Sequence, residues 1–225
     1  MFVRLKRRIL QAIVAFFMRA ICRVEINGLE KVRDLKGKAI FVSNHLGRLD
    51  AGLAFLILKR EDIILVVAEK YRDYPIFRFL VKQLDLLWLE RFGADLGTLK
   101  EVLRRLDKGG VLMIAPEGTR STTEALLEGK PGATYLAAKS GAIVVPIGIS
   151  GSEDRIVKEE LRKFRRPRIV LNIGTAFSVP SLPKTDRDVF LRKQTDDIMV
   201  RIARLLPEKN RGFYTKHVGV VGFSA

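Results

Sequence analysis

The chain contains one cysteine and two histidines in 225 residues. A single cysteine excludes an internal disulfide framework and is compatible with a reducing compartment. Because Cys22 and the two histidines, His45 and His217, lie far apart in the sequence, we expect no soft-metal site and no metal cofactor. The same scarcity leaves few candidates for a general base that titrates near neutral pH.

Acidic residues are also scarce relative to basic ones. Lys and Arg number 41 against 25 for Asp and Glu, which gives a net charge of +16. Such an excess attracts polyanions, either nucleic acid or the anionic leaflet of a membrane. A nucleic-acid binder would show aromatic residues interleaved with basic ones or a recognisable reader motif, and the sequence shows neither. We therefore expect an anionic membrane surface as partner, and keep a basic nucleic-acid-binding domain as the alternative from another class.

The apolar run near the N-terminus, residues 9–18, is shorter than the roughly 20 residues that span a bilayer. Basic residues flank it: Arg4, Lys6, Arg7, Arg8 and Arg19. A secretory signal peptide is a rival interpretation, but a basic residue follows the run directly and no small-x-small cleavage site comes next. We expect residues 1–22 to form an amphipathic interfacial helix on the cytoplasmic face of the cell membrane, in a peripheral or monotopic protein. The alternative is a core helix that docks on the sheet.

Strand and helix patterns alternate along the rest of the chain, which predicts an α/β fold with a mixed β-sheet flanked by helices. The predicted strands are 24–28, 38–42, 63–67, 86–89, 111–115, 143–149 and 169–173, and the predicted helices are 50–58, 75–84, 96–106, 132–139 and 186–206. The length suits a single core, so we assign residues 23–225 to one domain.

The first motif joins a histidine to a carboxylate. It reads Asn44-His45-Leu46-Gly47-Arg48-Leu49-Asp50. A neutral imidazole can take a proton near pH 7, and a carboxylate on its other nitrogen fixes the tautomer. Two side chains that are five positions apart on a regular helix do not face each other. We therefore expect His45 on a strand-to-helix turn with Asp50 near the helix start. The alternative is an accidental pair that serves as helix caps or surface groups.

The second motif follows the predicted strand 111–115 and reads Glu117-Gly118-Thr119-Arg120-Ser121. Polar residues directly after a core strand lie where open α/β sheets hold their ligands. Gly118 permits close approach of the backbone to a ligand. The alternative is an ordinary turn in which Glu117 and Arg120 are solvated or paired with each other.

Two further segments, Trp88-Leu89-Glu90-Arg91 and Val145-Pro146-Ile147-Gly148-Ile149, complete a set of four ordered blocks. In this order the blocks resemble the glycerolipid acyltransferase family, whose bacterial members include 1-acylglycerol-3-phosphate acyltransferases. The resemblance covers roughly residues 26–150. Asp85 stands where the second block usually begins with glycine, and Trp88 replaces a phenylalanine. A carboxylate close to a phosphate-binding arginine leaves the identity of the acceptor open.

The resemblance implies a glycerol-3-phosphate acyltransferase-like fold and an acyl transfer reaction. The fatty acyl group would move from a thioester donor, acyl-CoA or acyl carrier protein, to the free hydroxyl of 1-acylglycerol-3-phosphate, which gives phosphatidic acid. No cofactor is implied beyond the donor as co-substrate. Another acceptor, glycerol 3-phosphate or a lyso-aminolipid, is the alternative within the same class.

The resemblance also assigns roles to residues. His45 would be the general base, oriented by Asp50. A second set would bind the acceptor and its phosphate: Lys70, Arg91, Glu117, Gly118, Thr119 and Arg120. Arginine suits this task because its guanidinium is a rigid, always-charged fork that matches phosphate oxygens.

A second basic cluster lies late in the sequence: Lys158, Arg162, Lys163, Arg165, Arg166 and Arg168. A solvated charged face is the simplest interpretation. The functional interpretations are a platform for anionic lipid headgroups and one for an acidic acyl carrier protein. The sequence does not separate these two.

Overall fold

A computed structural model describes residues 2–58, 60–90 and 95–218, with side chains from Leu5 onward. The helices within these residues are α1 (Phe2–Ile21), α2 (Asp50–Ile57), α3 (Pro75–Leu84), α4 (Leu96–Asp107), α5 (Gly132–Ser140), α6 (Asp154–Arg162) and α7 (Arg187–Arg204). The strands are β1 (Arg23–Asn27), β2 (Ala39–Ser43), β3 (Ile63–Ile64), β4 (Val66–Ala68), β5 (Leu87–Leu89), β6 (Val111–Ile114), β7 (Ile143–Ser150), β8 (Arg168–Ile173) and β9 (Phe177–Ser178).

The main sheet has seven strands in the order β1-β8-β7-β2-β6-β3, with β9 also paired to β7. Strand β2 runs parallel to β6 and β7, whereas β8 is antiparallel to β7 and parallel to β1. The predicted mixed sheet is therefore confirmed. The carboxyl ends of β2, β6 and β7 lie at one edge, and β1 and β8 begin at that same edge, which we call the upper edge.

Helices cover both faces of this sheet, so its central strands are almost entirely apolar. On one face Ile40 and Val42 of β2 belong to a core cluster that includes residues of α4, α5 and α7. On the other face Phe41 belongs to a cluster with Leu53 of α2 and Met18 of α1. Alternate residues of β2 thus enter opposite cores, as the two-residue period of a strand requires.

Helix α1 is docked on one side and apolar on the other. Met18 is buried, and a Cβ placed on Gly52 of α2 would lie 3.1 Å from its Sδ, so the two helices pack closely. The outward side exposes large apolar residues: Leu5, Ile9, Ile13, Phe16 and Phe17. None of the helices in the described part of the chain combines the length and the apolar character that crossing a bilayer demands.

One predicted element differs from the structure, and one observed helix was not predicted. The single strand predicted at 63–67 is divided, because β3 joins the main sheet whereas β4 pairs with β5 in a small two-stranded sheet. Helix α6 was not predicted, since its residues are mostly charged and present only a short apolar stripe. It carries the first part of the late basic cluster.

Candidate active site

The His45 turn connects the end of β2 at Ser43 to the start of α2 at Asp50. The His45 Nδ1 lies 2.9 Å from the Asp50 Oδ2. The same oxygen accepts the backbone N–H groups of Leu46 at 2.7 Å and Gly47 at 2.9 Å. The predicted strand-turn-helix arrangement and the contact between the two side chains are both present. One carboxylate therefore orients the imidazole and also shapes the turn that carries it.

This contact determines which ring nitrogen is basic. Because a carboxylate accepts at Nδ1, the neutral ring carries its proton there, and Nε2 holds the free lone pair. The Asp50 side chain is only 6% exposed, whereas that of His45 is 34% exposed. The imidazole is thus accessible, while the carboxylate that would stabilise its protonated form is shielded from water.

The second motif holds the backbone of His45 from both sides. Glu117 follows β6, the neighbour of β2, and its Oε1 accepts the His45 N–H at 2.9 Å. Its Oε2 accepts the Leu127 N–H at 2.8 Å. The His45 carbonyl in turn accepts the Ser121 N–H at 2.9 Å. The two motifs therefore meet at the upper edge.

Glu117 is 1% exposed, and burial raises the pKa of its carboxyl to about 7. The two backbone donors and His45 oppose this shift. Because both carboxyl oxygens are engaged by backbone N–H groups, the geometry supports a positioning role for Glu117 beneath the His45 turn. Its predicted part in the acceptor pocket stays a prediction.

The remaining residues of the second motif form the open side of the turn. Gly118 has a φ of 68°, a left-handed conformation that favours glycine. A Cβ at this position would lie 3.1 Å from the Lys130 Cδ. Thr119 is exposed, and Arg120 has its Nη1 3.3 Å from the Asp154 Oδ2. The alternative in which Glu117 and Arg120 pair with each other is therefore wrong, since each has another partner.

Asp154 is a site residue that the sequence analysis missed, and the close packing of Gly47 was not predicted either. Asp154 contacts Arg120 and also accepts the backbone N–H of Arg48 at 2.9 Å, so it links the two turns. A Cβ on Gly47 would lie 1.8 Å from the Ser152 carbonyl oxygen, so no larger residue fits there without movement. The sequence carries no signal for either contact, because Asp154 lies 106 positions beyond Arg48.

Asn44 joins the first block to the fourth. Its buried side chain donates to the Ile149 carbonyl at 2.8 Å and accepts the Ile149 N–H at 2.7 Å. This pair of hydrogen bonds continues the ladder between β2 and β7 by one step beyond the end of β2 at Ser43. The asparagine thus fixes the point at which the His45 turn leaves the sheet.

Two predicted phosphate ligands, Lys70 and Arg91, have not yet been placed relative to this cluster. Lys70 is exposed in a short 3₁₀ turn after β4, with its Nζ 5.0 Å from the centroid of the Tyr71 ring. Within the described residues, no hydrogen bond or ion pair links Lys70 to either motif. Arg91 lies outside the described residues. Both assignments stay predictions.

Asp85, the departure in the second block, has a structural explanation. It ends α3 with a φ of 53°, a left-handed position at which glycine is commonest. Its carboxylate lies 2.8 Å from the Arg105 guanidinium and 3.7 Å from that of Arg7. The backbone of Asp85 therefore ends the helix, while its extra carboxylate binds arginines of α4 and α1.

Comparison with known proteins agrees with this geometry. The family model described as Acyltransferase matches residues 23–150. Over 138 residues the chain is 30% identical to the chloroplastic 1-acyl-sn-glycerol-3-phosphate acyltransferase of Arabidopsis thaliana, covering 58% of this chain and 36% of that protein. Over 123 residues it is 28% identical to the 1-acyl-sn-glycerol-3-phosphate acyltransferase of Escherichia coli, covering 53% and 50%. The chain thus spans about a third to a half of the length of these curated relatives.

The fold is also that of a solved structure. The crystal structure of the 1-acyl-sn-glycerophosphate acyltransferase of Thermotoga maritima superposes with a TM-score of 0.63 at 20% identity, covering 95% of this chain and 80% of that chain. The matched family segment contains the His45 turn, the Glu117 turn and the whole of β7. The chain belongs to the acyltransferase family.

Proposed function

We propose that this protein transfers a fatty acyl group from a thioester donor to the free hydroxyl of 1-acylglycerol-3-phosphate, which yields phosphatidic acid. The observation that carries the proposal is the His45–Asp50 pair at 2.9 Å, held in place by Glu117. The names of the Arabidopsis and Escherichia coli relatives support the choice of acceptor.

His45 acts as general base. Its Nε2 takes the proton of the acceptor hydroxyl while that oxygen attacks the thioester carbonyl, and Asp50 stabilises the imidazolium that forms. The tetrahedral intermediate then expels the thiolate, which receives the proton from Nε2 and leaves as a thiol. The acceptor itself is the nucleophile, so no covalent enzyme intermediate and no cofactor is required. Proton transfer of this kind contributes roughly 100- to 10,000-fold to a rate.

Arg120 is the described residue best placed to bind the acceptor phosphate. Its side chain is partly exposed, and its contact with Asp154 is a single ion pair at 3.3 Å, which a phosphate can replace or share. Gly118 keeps the backbone beside it open, and the Lys130 side chain lies next to that glycine. Arg91 and Lys70 complete the phosphate site in this proposal, on the strength of the family resemblance.

We further propose that α1 lies at the surface of an anionic membrane. Among the described side chains of α1, six large apolar residues are exposed, and four of them, Leu5, Ile9, Ile13 and Phe16, follow a spacing of four, four and three that places them on one side of the helix. Exposed apolar residues along one side of a helix, with basic residues beside them, are typical of interfacial helices. Met18 and Cys22 keep the C-terminal end of α1 docked on the domain, so the helix is a fixed part of the protein.

Acyl transfer from acyl-CoA and from acyl carrier protein to lysophosphatidic acid tests the proposed activity in detergent. Wild type is expected to form phosphatidic acid, and His45→Ala is expected to lose at least about 100-fold in kcat. His217→Ala is the matched control, because this histidine stacks on Phe213 away from the two motifs and should leave the rate unchanged. Full activity in His45→Ala would refute the mechanism, and no transfer by wild type from either donor would refute the proposed acceptor.

A further inference from the structure

Phe164 is 99% exposed, in the turn that follows α6. Its φ is 54°, in the left-handed region that costs energy for any residue except glycine. A phenylalanine here buries no apolar surface and strains the backbone. The folded protein gains nothing from this side chain, so its presence calls for a reason outside the fold.

The local geometry fixes this conformation. The Arg165 N–H reaches back to the Glu160 carbonyl at 2.9 Å, and the Phe164 N–H reaches the Leu161 carbonyl at 3.0 Å. These bonds form a helix-ending turn whose left-handed residue is usually glycine. The side chain is therefore carried on a defined turn and projects into solvent.

Basic residues flank Phe164 in the sequence. Four of them are exposed: Lys158, Arg162, Lys163 and Arg165. Within the described chain none of the four forms an ion pair, whereas the neighbouring Arg155 and Arg168 are paired with glutamates. Leu161, one turn before Phe164, is exposed as well. We call residues 161–165 the α6 tip.

The α6 tip is joined to the C-terminal end of α1. The Arg166 guanidinium donates to the Cys22 carbonyl at 2.7 Å and also to that of Arg19. The Arg23 N–H donates to the Pro167 carbonyl at 2.9 Å. The last turns of α1 expose Phe16 and Phe17. Two sets of exposed aromatic side chains are thus carried by segments that are hydrogen-bonded to each other.

This junction lies at the upper edge of the sheet, where the His45 turn is found. Ser150, the last residue of β7, pairs with Val170 near the start of β8. Arg168, the first residue of β8, pairs with Arg23, the first residue of β1. The α6 tip, the end of α1 and the candidate catalytic base therefore share one edge of the molecule.

We propose that the α6 tip is a second point of membrane insertion, in which Phe164 enters the apolar boundary of an anionic bilayer and the surrounding cations contact lipid phosphates. This deepens the membrane role proposed for α1 and rests on it. Apolar side chains with flanking Lys and Arg match the chemistry of an anionic membrane interface. An acidic carrier protein would account for the cations, but not for a fully exposed aromatic residue held in a strained turn.

Insertion at two points would fix the orientation of the protein on the membrane. A single helix lying in the interface leaves the domain free to rotate about the helix axis. A second insertion beyond the end of α1 removes that freedom and holds the upper edge toward the lipid. A lyso-lipid acceptor would then reach His45 from the bilayer without passing through water.

Sedimentation with vesicles of equimolar phosphatidylcholine and phosphatidylglycerol tests the proposal on the whole chain. Phe164→Gly removes the aromatic ring and relieves the backbone strain, so the variant should stay folded. Weaker vesicle binding would then report the loss of the ring itself. We expect its partition to fall about tenfold, as the loss of one inserted aromatic side chain predicts. Val189→Ala is the matched control, since Val189 is 72% exposed on α7, and it should bind like wild type. Wild-type binding by Phe164→Gly, or an equal loss in Val189→Ala, would overturn the proposal.

A second experiment distinguishes membrane insertion of the α6 tip from docking of an acyl carrier protein. Acyl transfer to detergent-dispersed acceptor should be equal in wild type and Phe164→Gly, because the α6 tip takes no part in the chemistry. Vesicle binding is read without any turnover, so inactivity of the wild type would refute the proposed function and leave the insertion test intact. A Phe164→Gly variant that binds vesicles normally but uses acyl carrier protein poorly would overturn insertion in favour of a protein-docking surface.

Discussion

The His45 turn and the α6 tip lie at the same edge of the sheet but are built in opposite ways. Around His45 the backbone N–H and carbonyl are both bonded, and the carboxylates of Asp50 and Glu117 are buried. At the α6 tip the side chains are exposed, and Phe164 makes its hydrogen bond through the backbone alone. The His45 turn is held in one conformation by its hydrogen bonds, whereas the α6 tip presents exposed side chains to solvent. Substitutions in the first should therefore change chemistry or folding, and those in the second should change attachment only.

Asp50→Asn tests the geometry of the first region most severely. The asparagine carbonyl can still accept the two N–H groups of the turn, so the backbone should survive. Because Leu46, Gly47 and His45 all contact the same oxygen, that carbonyl also faces Nδ1, but it lacks the negative charge that would stabilise the imidazolium formed when Nε2 takes a proton. We expect kcat to fall roughly 100- to 10,000-fold. Steady-state kinetics beside a thermal unfolding curve will check this, and a kcat close to wild type would contradict the proposed role.

Glu117 should make stability depend on pH. In the folded chain the pKa of its carboxyl is raised from 4.5 to about 7, so between these values the folded state holds a proton that the unfolded state has lost. Stability therefore falls as pH rises through this window, by about 3 kcal/mol in all. Below pH 4.5 both states are protonated, and this group adds no pH dependence.

Glu117→Gln removes this titration. Urea unfolding of wild type and variant across the window gives the difference between their free energies of unfolding, in which the titrations of all other groups cancel. We expect the advantage of wild type to shrink as the pH rises from 4.5 to about 7. Two curves that run parallel would show that Glu117 has an ordinary pKa and would contradict the effect of burial.

Gly47→Ala should lower both the stability and the activity of the protein, by less than the changes described above. The new methyl group would lie 1.8 Å from the Ser152 carbonyl oxygen, so the turn or the segment after β7 must shift. Overpacking of this kind costs about 1 to 3 kcal/mol. Gly132→Ala is the matched control, because a Cβ there meets nothing within 4 Å and the residue begins α5. Chemical denaturation of both variants distinguishes a specific clash from a general intolerance of alanine.

The comparison also shows which parts of the structure the sequence could predict. Helix α3 was predicted with its observed bounds, because Pro75 begins it and its apolar residues recur at helical spacing. The contact of His45 with Asp50 could be predicted, since both belong to one short turn. Glu117 was recognised from its motif, but its bond to the His45 backbone depends on β6 lying beside β2, which strand order alone decides.

Other features needed the fold because their partners are distant in the chain. Asp154 meets Arg48 and Arg120 only after β7 has returned to the upper edge. Asp85 could be identified as a helix cap only from its backbone conformation, since the sequence alone places it near the arginine that is predicted to bind phosphate. Phe164 has an apolar side chain, and in general such residues are assigned to the core. Its exposure follows from the helix end that α6 creates.

Phe164→Gly should have the smallest effect on the stability of the folded protein, and it should raise that stability whereas Gly47→Ala lowers it. Glycine adopts the left-handed conformation at no steric cost, so the variant loses the strain that phenylalanine imposes. We expect it to be more stable than wild type by up to about 1 kcal/mol, with unchanged kcat in detergent. Chemical denaturation measures the gain, and a loss of stability would mean that Phe164 packs against the domain in solution. A variant that is more stable and yet leaves the membrane more readily would show that the α6 tip gives up folding stability for attachment, whereas the His45 turn uses its buried bonds for both structure and chemistry.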